Sequence, residues 1–204
     1  MRGTQPKGPN GQKHHYIPKF YLKQWAGVDG RVCEFSRPHK EVRPRMTVPD
    51  GTGYVRGLYT FPELQPGAAD FLEQQFLLRS DDRAHEVLQR LLADQLQFDV
   101  DQRSRWSRFL MTMIHRSPEG LARLKTAITD GLPAALVEFR GRYEAMRKTD
   151  DDPTFEEFSA SLTEEDTVGA QLLVIQNIMN SQMTGAALNA MNWSIIRVPL
   201  DQVR

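Results

Sequence analysis

The sequence contains only one cysteine among its 204 residues. Cys33 therefore cannot form a disulfide within the chain, and it cannot build a cysteine-based metal site by itself. A disulfide-stapled secreted scaffold and a zinc finger are both excluded. Sparing use of cysteine is typical of proteins in reducing compartments, so we predict a cytoplasmic location.

Long hydrophobic runs are absent as well. No stretch approaches the roughly 18 uninterrupted apolar residues of a membrane-spanning helix, and no apolar segment follows the charged residues near the start, as it would in an export signal. We therefore expect no membrane partner. Hydrophobic residues make up 40% of the chain and charged residues 25%, which is the composition of an ordinary globular domain with its own core.

The chain also lacks an excess of charge of one sign, because 26 Lys and Arg balance 26 Asp and Glu. That balance argues against a general polyanion binder. The charges are unevenly distributed, however, since residues 1–60 contain 11 Lys or Arg but only four Asp or Glu. This basic part either meets an acidic ligand such as nucleic acid or pairs with the acidic remainder of the same domain.

The hydrophobic pattern changes once along the chain. Residues 1–13 are rich in Gly and Pro without periodicity and are predicted to be a flexible leader. Residues 14–204 are predicted to form a single domain. Within it, residues 14–67 show short runs typical of a short helix and a β-hairpin, and residues 68–204 show the 3.6-residue periodicity of a helical body. The predicted fold class is α+β, mainly α-helical, with a small N-terminal hairpin packed on several helices.

The first part of the domain is predicted to contain three local elements. A short helix is expected after Pro18, and residues 31–37 and 40–46 read as the two strands of a hairpin. Residues 51–62 combine Gly with aromatic side chains, and they fit either a third strand or an irregular loop.

The helical body is predicted from amphipathic periodicity and helix start signals. A polar interruption at residues 79–83 is expected to bend or split its first helix. Pro118 follows Ser117, which can cap free amides, and proline at the first helical position loses no hydrogen bond. In order, the predicted elements are a helix over residues 69–94, a helix ending near Arg116, a helix from Ser117 to about Gly131, helices after Pro133 and Pro153, a last helix from Thr163 past Met183, and a terminal strand over residues 192–200.

Two adjacent histidines precede Pro18 and are the first candidates for chemistry. Neighbouring side chains in an extended segment point to opposite faces, so only one of His14 and His15 would normally enter a given site. Histidine can bind a metal ion or exchange a proton near neutral pH. Both residues are therefore candidate catalytic and metal-binding residues. The alternative is that they cap and pack, and so attach the start of the chain to the helical body.

Three charged residues of the helical body are the next candidates. Glu73 and Asp81 lie eight residues apart and so on a similar face of a continuous helix, where they could complete a divalent metal site with a histidine. Arg116 follows an apolar helix face, where a guanidinium could bind a carboxylate or a phosphate. The alternative for all three is structural: a solvated face for the acids and an ordinary ion pair for Arg116.

Positive and aromatic residues alternate in the predicted first helix. Lys13, Lys19 and Lys23, together with Tyr21 and the neighbouring aromatic rings, give the combination that proteins use to hold single-stranded nucleic acid. On a helix, however, the rings would turn into the core and the lysines would stay in solvent. The pattern therefore supports either a nucleic-acid-binding surface or an ordinary amphipathic helix.

The segment from His14 to Gly27, HHYIPKFYLKQWAG, resembles the opening HHxxPxFYLxxF of the bacterial family DUF4238. An LYTF-like element matches Leu58–Phe61, and an Arg-x-Pro helix end matches Arg116–Pro118. The resemblance covers most of residues 14–118 and, more loosely, the final helix and the segment NWSIIRV at residues 192–198.

This chain departs from the family pattern in three places. Trp25 replaces the usual Phe, and Asp81 or Asp82 stands where a Glu is usual. The chain also ends at Arg204 before the family's Ser-Asp-x-Pro segment, so the resemblance implies a C-terminally truncated member. The family's function is not established, so the resemblance implies a fold and site residues but no reaction.

Three hypotheses for function follow. The first is a metal-assisted hydrolase acting on a phosphodiester or nucleic acid. His-x-x-Pro superficially resembles the first strand of HNH-type nucleases, but the downstream Asn or His of that motif is missing here. The second is a non-catalytic module that binds nucleic acid or a protein partner through the basic N-terminal part. The third is a purely structural role for the histidine motif.

Overall fold

The computed structural model of the chain describes residues 12–61, 63–65, 70–149 and 151–196. Most of the predicted leader, residues 1–13, therefore lies outside the described residues, although Lys13 already belongs to a strand. Within the described part of the chain, no helix is both long enough and apolar enough to cross a membrane.

Two small antiparallel sheets form the β part of the molecule. The predicted hairpin is confirmed, with β2 (Val32–Ser36) paired to β3 (Arg43–Thr47). The first histidines lie on β1 (Lys13–His15), which pairs with β4 (Tyr54–Arg56). The sequence left residues 51–62 open between a strand and a loop. Both occur in the described part of this range, where Tyr54–Arg56 forms β4 and the residues around it lie outside strands.

Gly53 is required at the turn into β4. Its φ of +66° is a conformation that side chains rarely adopt, and an added Cβ would lie 3.1 Å from Ile17 and from Leu22. The same turn accepts a hydrogen bond, since the Ile17 N–H donates to the Gly53 main-chain oxygen at 3.1 Å. The close approach holds β4 against the segment that follows the two histidines.

The rest of the described chain is mainly helical, as predicted. Local capping explains several helix starts: Asp99, Thr154 and Thr163 form capping boxes, and Ser117 accepts from the Gly120 N–H. The α-helices are α1 (Lys19–Leu22), α2 (Leu78–Leu92), α3 (Val100–His115), α4 (Pro118–Met146), α5 (Phe155–Ser161), α6 (Glu164–Met179) and α7 (Gln182–Ala190).

The first long helix departs from the prediction in where it is distorted. Helix α2 runs without a break through residues 79–83, where we expected a bend or a split. The distortion lies one turn earlier, because Leu72–Leu77 is π-helical and leads directly into α2. The polar residues at 79–83 leave the helix intact because Asp81 points inward to an ion pair.

Pro133 does not end a helix. Helix α4 continues through it to Met146, so the predicted break between Gly131 and Pro133 is wrong. Pro133 cannot bond the main-chain oxygen of Thr129, which costs about 3 kcal/mol in a helix interior. Thr129 is exposed, so water can satisfy that oxygen and the helix persists.

The C-terminal predictions are also revised. The last predicted helix is two helices, because α6 ends at Met179 and Met183 belongs to α7. No strand occurs among residues 192–196, and residues 197–200 of the predicted terminal strand lie outside the described residues. Ser181 caps α7 by accepting from the Thr184 N–H, and this cap separates the two helices.

The core lies between the π-helical segment, α4 and α6, with the loop after β4 inserted into it. The cluster is aliphatic except for three aromatic rings, and Tyr59 is among its fully buried members. It consists of Tyr59, Phe61, Leu64, Leu72, Phe76, Leu77, Leu121, Leu124, Leu172, Ile175 and Met179. Burial of these side chains fixes the polar groups next to Tyr59 and Leu72, which include the candidate site.

Candidate functional site

Strand β1 buries both histidines. His14 is 0% exposed and His15 is 8% exposed. The alternation of the strand separates their rings, as expected: His14 stacks parallel to Tyr59 and His15 contacts Tyr54 at a tilt, each pair with ring centroids 5.5 Å apart. Both rings have an Nε2 atom without a hydrogen-bond partner among the described residues.

The hydrogen bond of His14 determines which nitrogen carries its proton. The Tyr59 main-chain N–H donates to His14 Nδ1 at 2.9 Å, so Nδ1 must hold a lone pair. Burial lowers the pKa of His14, although the nearby Asp70 raises it. The ring is therefore neutral at pH 7 with its proton on Nε2, and Nε2–H is a buried donor.

Arg116, the first residue after α3, joins three parts of the fold. Its guanidinium is 1% exposed and donates to both carboxylate oxygens of Asp81, at 2.7 and 3.1 Å. It also donates to the main-chain oxygen of His15 at 2.9 Å. The Tyr59 hydroxyl donates to the main-chain oxygen of Arg116. Arg116 therefore links β1, α2 and the loop after β4, which is the structural pairing that we weighed against phosphate binding.

Glu73 lies in the π-helical segment and has the strongest electrostatic perturbation of the acidic residues in this region. It is 7% exposed, and its Oε2 atom has no hydrogen-bond partner among the described residues. Burial raises the pKa of Glu73 to about 7, against a lowering effect of Arg116. For Asp81, burial likewise raises the pKa and Arg116 opposes it. At neutral pH Glu73 is therefore present in both protonation states, as a general acid or base requires.

These buried polar side chains are what we call the Arg116 cluster: hydrogen bonds link all of them except Glu73, which is near enough to Arg116 for its charge to lower the Glu73 pKa. It contains all of the predicted catalytic and metal-binding residues. It also contains Tyr59, which lies in the LYTF element but was given no role in the sequence-based predictions. Its members are His14, His15, Tyr59, Glu73, Asp81 and Arg116. The juxtaposition depends on chain segments up to 101 residues apart, as in the bond between Arg116 and His15.

The cluster as placed does not fit the predicted metal site. Among the residues that the structure describes, no three His, Cys, Asp or Glu side chains are arranged to hold a metal ion. Two of the four predicted ligands are committed elsewhere, since Asp81 accepts from Arg116 and His14 Nε2 carries a proton. A divalent metal with His14, His15, Glu73 and Asp81 as ligands stays a prediction.

The lysines predicted to bind nucleic acid are mostly paired. Lys13 and Lys19 both contact the Asp50 carboxylate, at 2.7 and 3.2 Å, and Tyr21 packs against Phe109. Lys23 is exposed. Part of the basic charge is therefore balanced within the N-terminal part itself. The rings divide, since Tyr21 packs on Phe109 whereas Trp25 is 71% exposed, and a nucleic-acid-binding surface here stays a prediction.

The comparisons with known proteins agree with the resemblance of the opening motif. No curated protein and no solved structure matches this chain. The sequence profile of the family described as "Protein of unknown function (DUF4238)" matches residues 13–202, which include the whole Arg116 cluster. The chain belongs to the DUF4238 family.

Proposed function

We propose that this chain is a hydrolase acting on phosphate esters, nucleic acid included, with Glu73 as general base and His14 as a hydrogen-bond donor. One observation carries the proposal: a buried carboxyl with a pKa of about 7 shares a cluster with a buried imidazole, and each has an atom without a partner among the described residues. Perturbed and unsatisfied ionisable groups are concentrated at functional sites.

The roles follow from the protonation states. Ionised Glu73 takes a proton from water as the water oxygen forms its bond to phosphorus. The bond from phosphorus to the ester oxygen breaks, and the proton passes to the leaving alkoxide. His14 Nε2–H donates to a phosphate oxygen, where negative charge develops. Since both groups are buried, the substrate phosphate must reach the space beside Glu73.

Arg116 is a positioning residue in this proposal. Its two Nη atoms donate to Asp81 and the His15 main chain, and its buried Nε has no partner among the described residues. Arg116 therefore orients β1 and holds its charge near Glu73. That charge lowers the pKa of Glu73 and keeps a fraction ionised at pH 7. No step is assigned to a metal ion.

The test is hydrolysis of bis(4-nitrophenyl) phosphate and of labelled single-stranded DNA and RNA, each with EDTA and with Mg²⁺, Mn²⁺ or Zn²⁺. Glu73→Gln is nearly isosteric and should lower the rate about 100-fold or more. His14→Asn preserves an acceptor for the Tyr59 N–H but lacks the Nε2 donor, so this variant should also hydrolyse the substrates more slowly. The control is Glu138→Gln, which neutralises an exposed carboxylate on α4.

Two results would remove the proposal. One is a wild-type rate equal to the blank under every cation condition. The other is full activity in Glu73→Gln, accompanied only by changed thermal stability, because that combination is what a purely structural cluster gives. Activity that survives EDTA would separate the acid–base mechanism from the metal-assisted one.

The alternative proposal is a non-catalytic, cytoplasmic module that binds nucleic acid or a protein partner. The β2–β3 hairpin supports it, since Phe35 is 70% exposed on a ribbon that ends at the exposed Lys40. Fluorescence anisotropy with labelled single-stranded DNA and RNA should show affinity that falls steeply with salt and weakens in Phe35→Ala. Salt-insensitive binding would count against the nucleic-acid form.

A further inference from the structure

A second polar site lies between α2 and α3, outside the Arg116 cluster. It is a cavity of about 80 Å³, which is larger than a single water molecule needs. Its lining consists of Ser80, Arg83, Asp101, Ser104, Arg105 and Arg108. The volume is suited to a small polyatomic ion.

The lining contains a buried hydroxyl without a partner. Ser80 is buried, and its Oγ makes no hydrogen bond within the described chain. The Nε of Arg105 is likewise buried and without a partner. A buried donor that is left unpaired destabilises the fold, so these two atoms indicate a ligand that accepts hydrogen bonds.

The charge balance of the cavity favours an anion. Arg105 is neutralised by Glu86 and Asp101, with which it forms ion pairs. Arg83 and the half-buried Arg108 have no hydrogen-bond or ion-pair partner among the residues that the structure describes. Three arginines and two carboxylates leave one net positive charge at the site, and the two unpaired guanidinium groups carry the free donors.

We infer that this cavity binds a tetrahedral oxyanion, namely a phosphate group, free or on a small phosphorylated ligand. A phosphate has only acceptor oxygens around its charge and matches the planar donor groups of Arg83 and Arg108. The Ser80 hydroxyl and Arg105 Nε–H supply the remaining donors. The inference goes beyond the hydrolase proposal and is independent of it, since no residue of the Arg116 cluster lines the cavity.

The experiment is isothermal titration calorimetry of the whole chain with inorganic phosphate and with glycerol 2-phosphate, at ionic strength matched with chloride. Wild type should bind phosphate saturably. Arg108→Gln should weaken binding about tenfold to a hundredfold, the usual effect of losing one charge-assisted hydrogen bond. Ser80→Ala should also weaken it. Arg79→Gln is the matched control, because Arg79 is an exposed arginine of α2 outside the lining.

The outcomes are distinguishable from failure to fold and from failure of the hydrolase proposal. Ser80→Ala deletes only an unpaired hydroxyl, so its melting temperature should not fall. Glu73→Gln should bind phosphate as wild type does. If glycerol 2-phosphate binds more tightly than inorganic phosphate, the ligand of the cavity is the phosphate group of a larger molecule. If inorganic phosphate binds more tightly, the ligand is the free ion. No saturable binding by wild type, or equal binding by Arg108→Gln and Arg79→Gln, would overturn the inference.

Discussion

Asp81→Asn should destabilise the fold far more than an ordinary surface substitution. Arg116 is 1% exposed, and Asp81 contacts it with both oxygens. Asparagine keeps the shape of the aspartate side chain but removes its negative charge. Its side-chain NH2 group would then face the guanidinium as a second hydrogen-bond donor. A charge pair about 4 Å apart is worth about 4 kcal/mol at an effective dielectric constant of 20. Breaking one partner of a buried pair commonly costs about 3–5 kcal/mol.

The assay is chemical denaturation at pH 7, with thermal unfolding as a second readout. For a chain of this size, 1 kcal/mol corresponds to about 2–4 °C, so the melting temperature should fall by about 6–20 °C. Asp82→Asn is the matched control, because Asp82 is the exposed neighbour on the same helix. This substitution should change the free energy of unfolding by no more than about 0.5 kcal/mol. High salt should change the difference little, because a buried pair is poorly screened.

If Asp81→Asn lowers the free energy of unfolding by less than about 1 kcal/mol, or if Asp81→Asn and Asp82→Asn lower it equally, the buried ion pair does not stabilise the fold as described. Either result would mean that Arg116 is solvated or finds another partner. In that case the guanidinium would be available for phosphate, as the first sequence hypothesis supposed.

The other predictions concern pH dependence and close packing. Burial raises the Glu73 pKa from 4.5 to about 7, so the unfolded chain loses this proton at a lower pH than the folded chain does. The free energy of unfolding should therefore fall by up to about 3 kcal/mol as pH rises from 4.5 to above 7. Chemical denaturation of Glu73→Gln should lack this contribution. Burial lowers the His14 pKa below 6.5, so this histidine opposes the Glu73 trend, and the stability of His14→Asn relative to wild type should rise as pH falls through 6.5. Gly120→Ala should cost about 1–3 kcal/mol, because its Cβ would lie 2.9 Å from the His115 main-chain oxygen. Gly131→Ala meets nothing within 4 Å on the same helix and should instead stabilise by about 0.5–1 kcal/mol in thermal unfolding.

What the sequence predicted correctly is what neighbouring residues determine. The Ser117–Pro118 start, the Thr163 cap and the hairpin around Pro38 depend on contacts a few residues apart, and all three occur. The pairing of β1 with β4 joins residues about 40 apart in the sequence. No local pattern in the chain marked that pairing.

The candidate residues were recognisable by type, but their partners were not. A histidine pair, an inward carboxylate and an arginine at a helix end drew attention to residues that the fold brings together in the Arg116 cluster. The main-chain N–H of Tyr59, which fixes the tautomer of His14, has no signature in the sequence. The bond between Asp81 and Arg116 spans 35 residues, and it decides that Asp81 serves an ion pair in this arrangement.

The most direct test of the account is the pKa of Glu73 in the folded chain. Carbon-13 NMR of the glutamate side-chain carboxyls, recorded from pH 4 to 9 and assigned with Glu73→Gln, measures it. The account predicts one carboxyl with a midpoint near 7 that is missing from the variant. If every glutamate titrates near 4.5, Glu73 is solvated, and neither the buried cluster nor its role in acid–base catalysis stands.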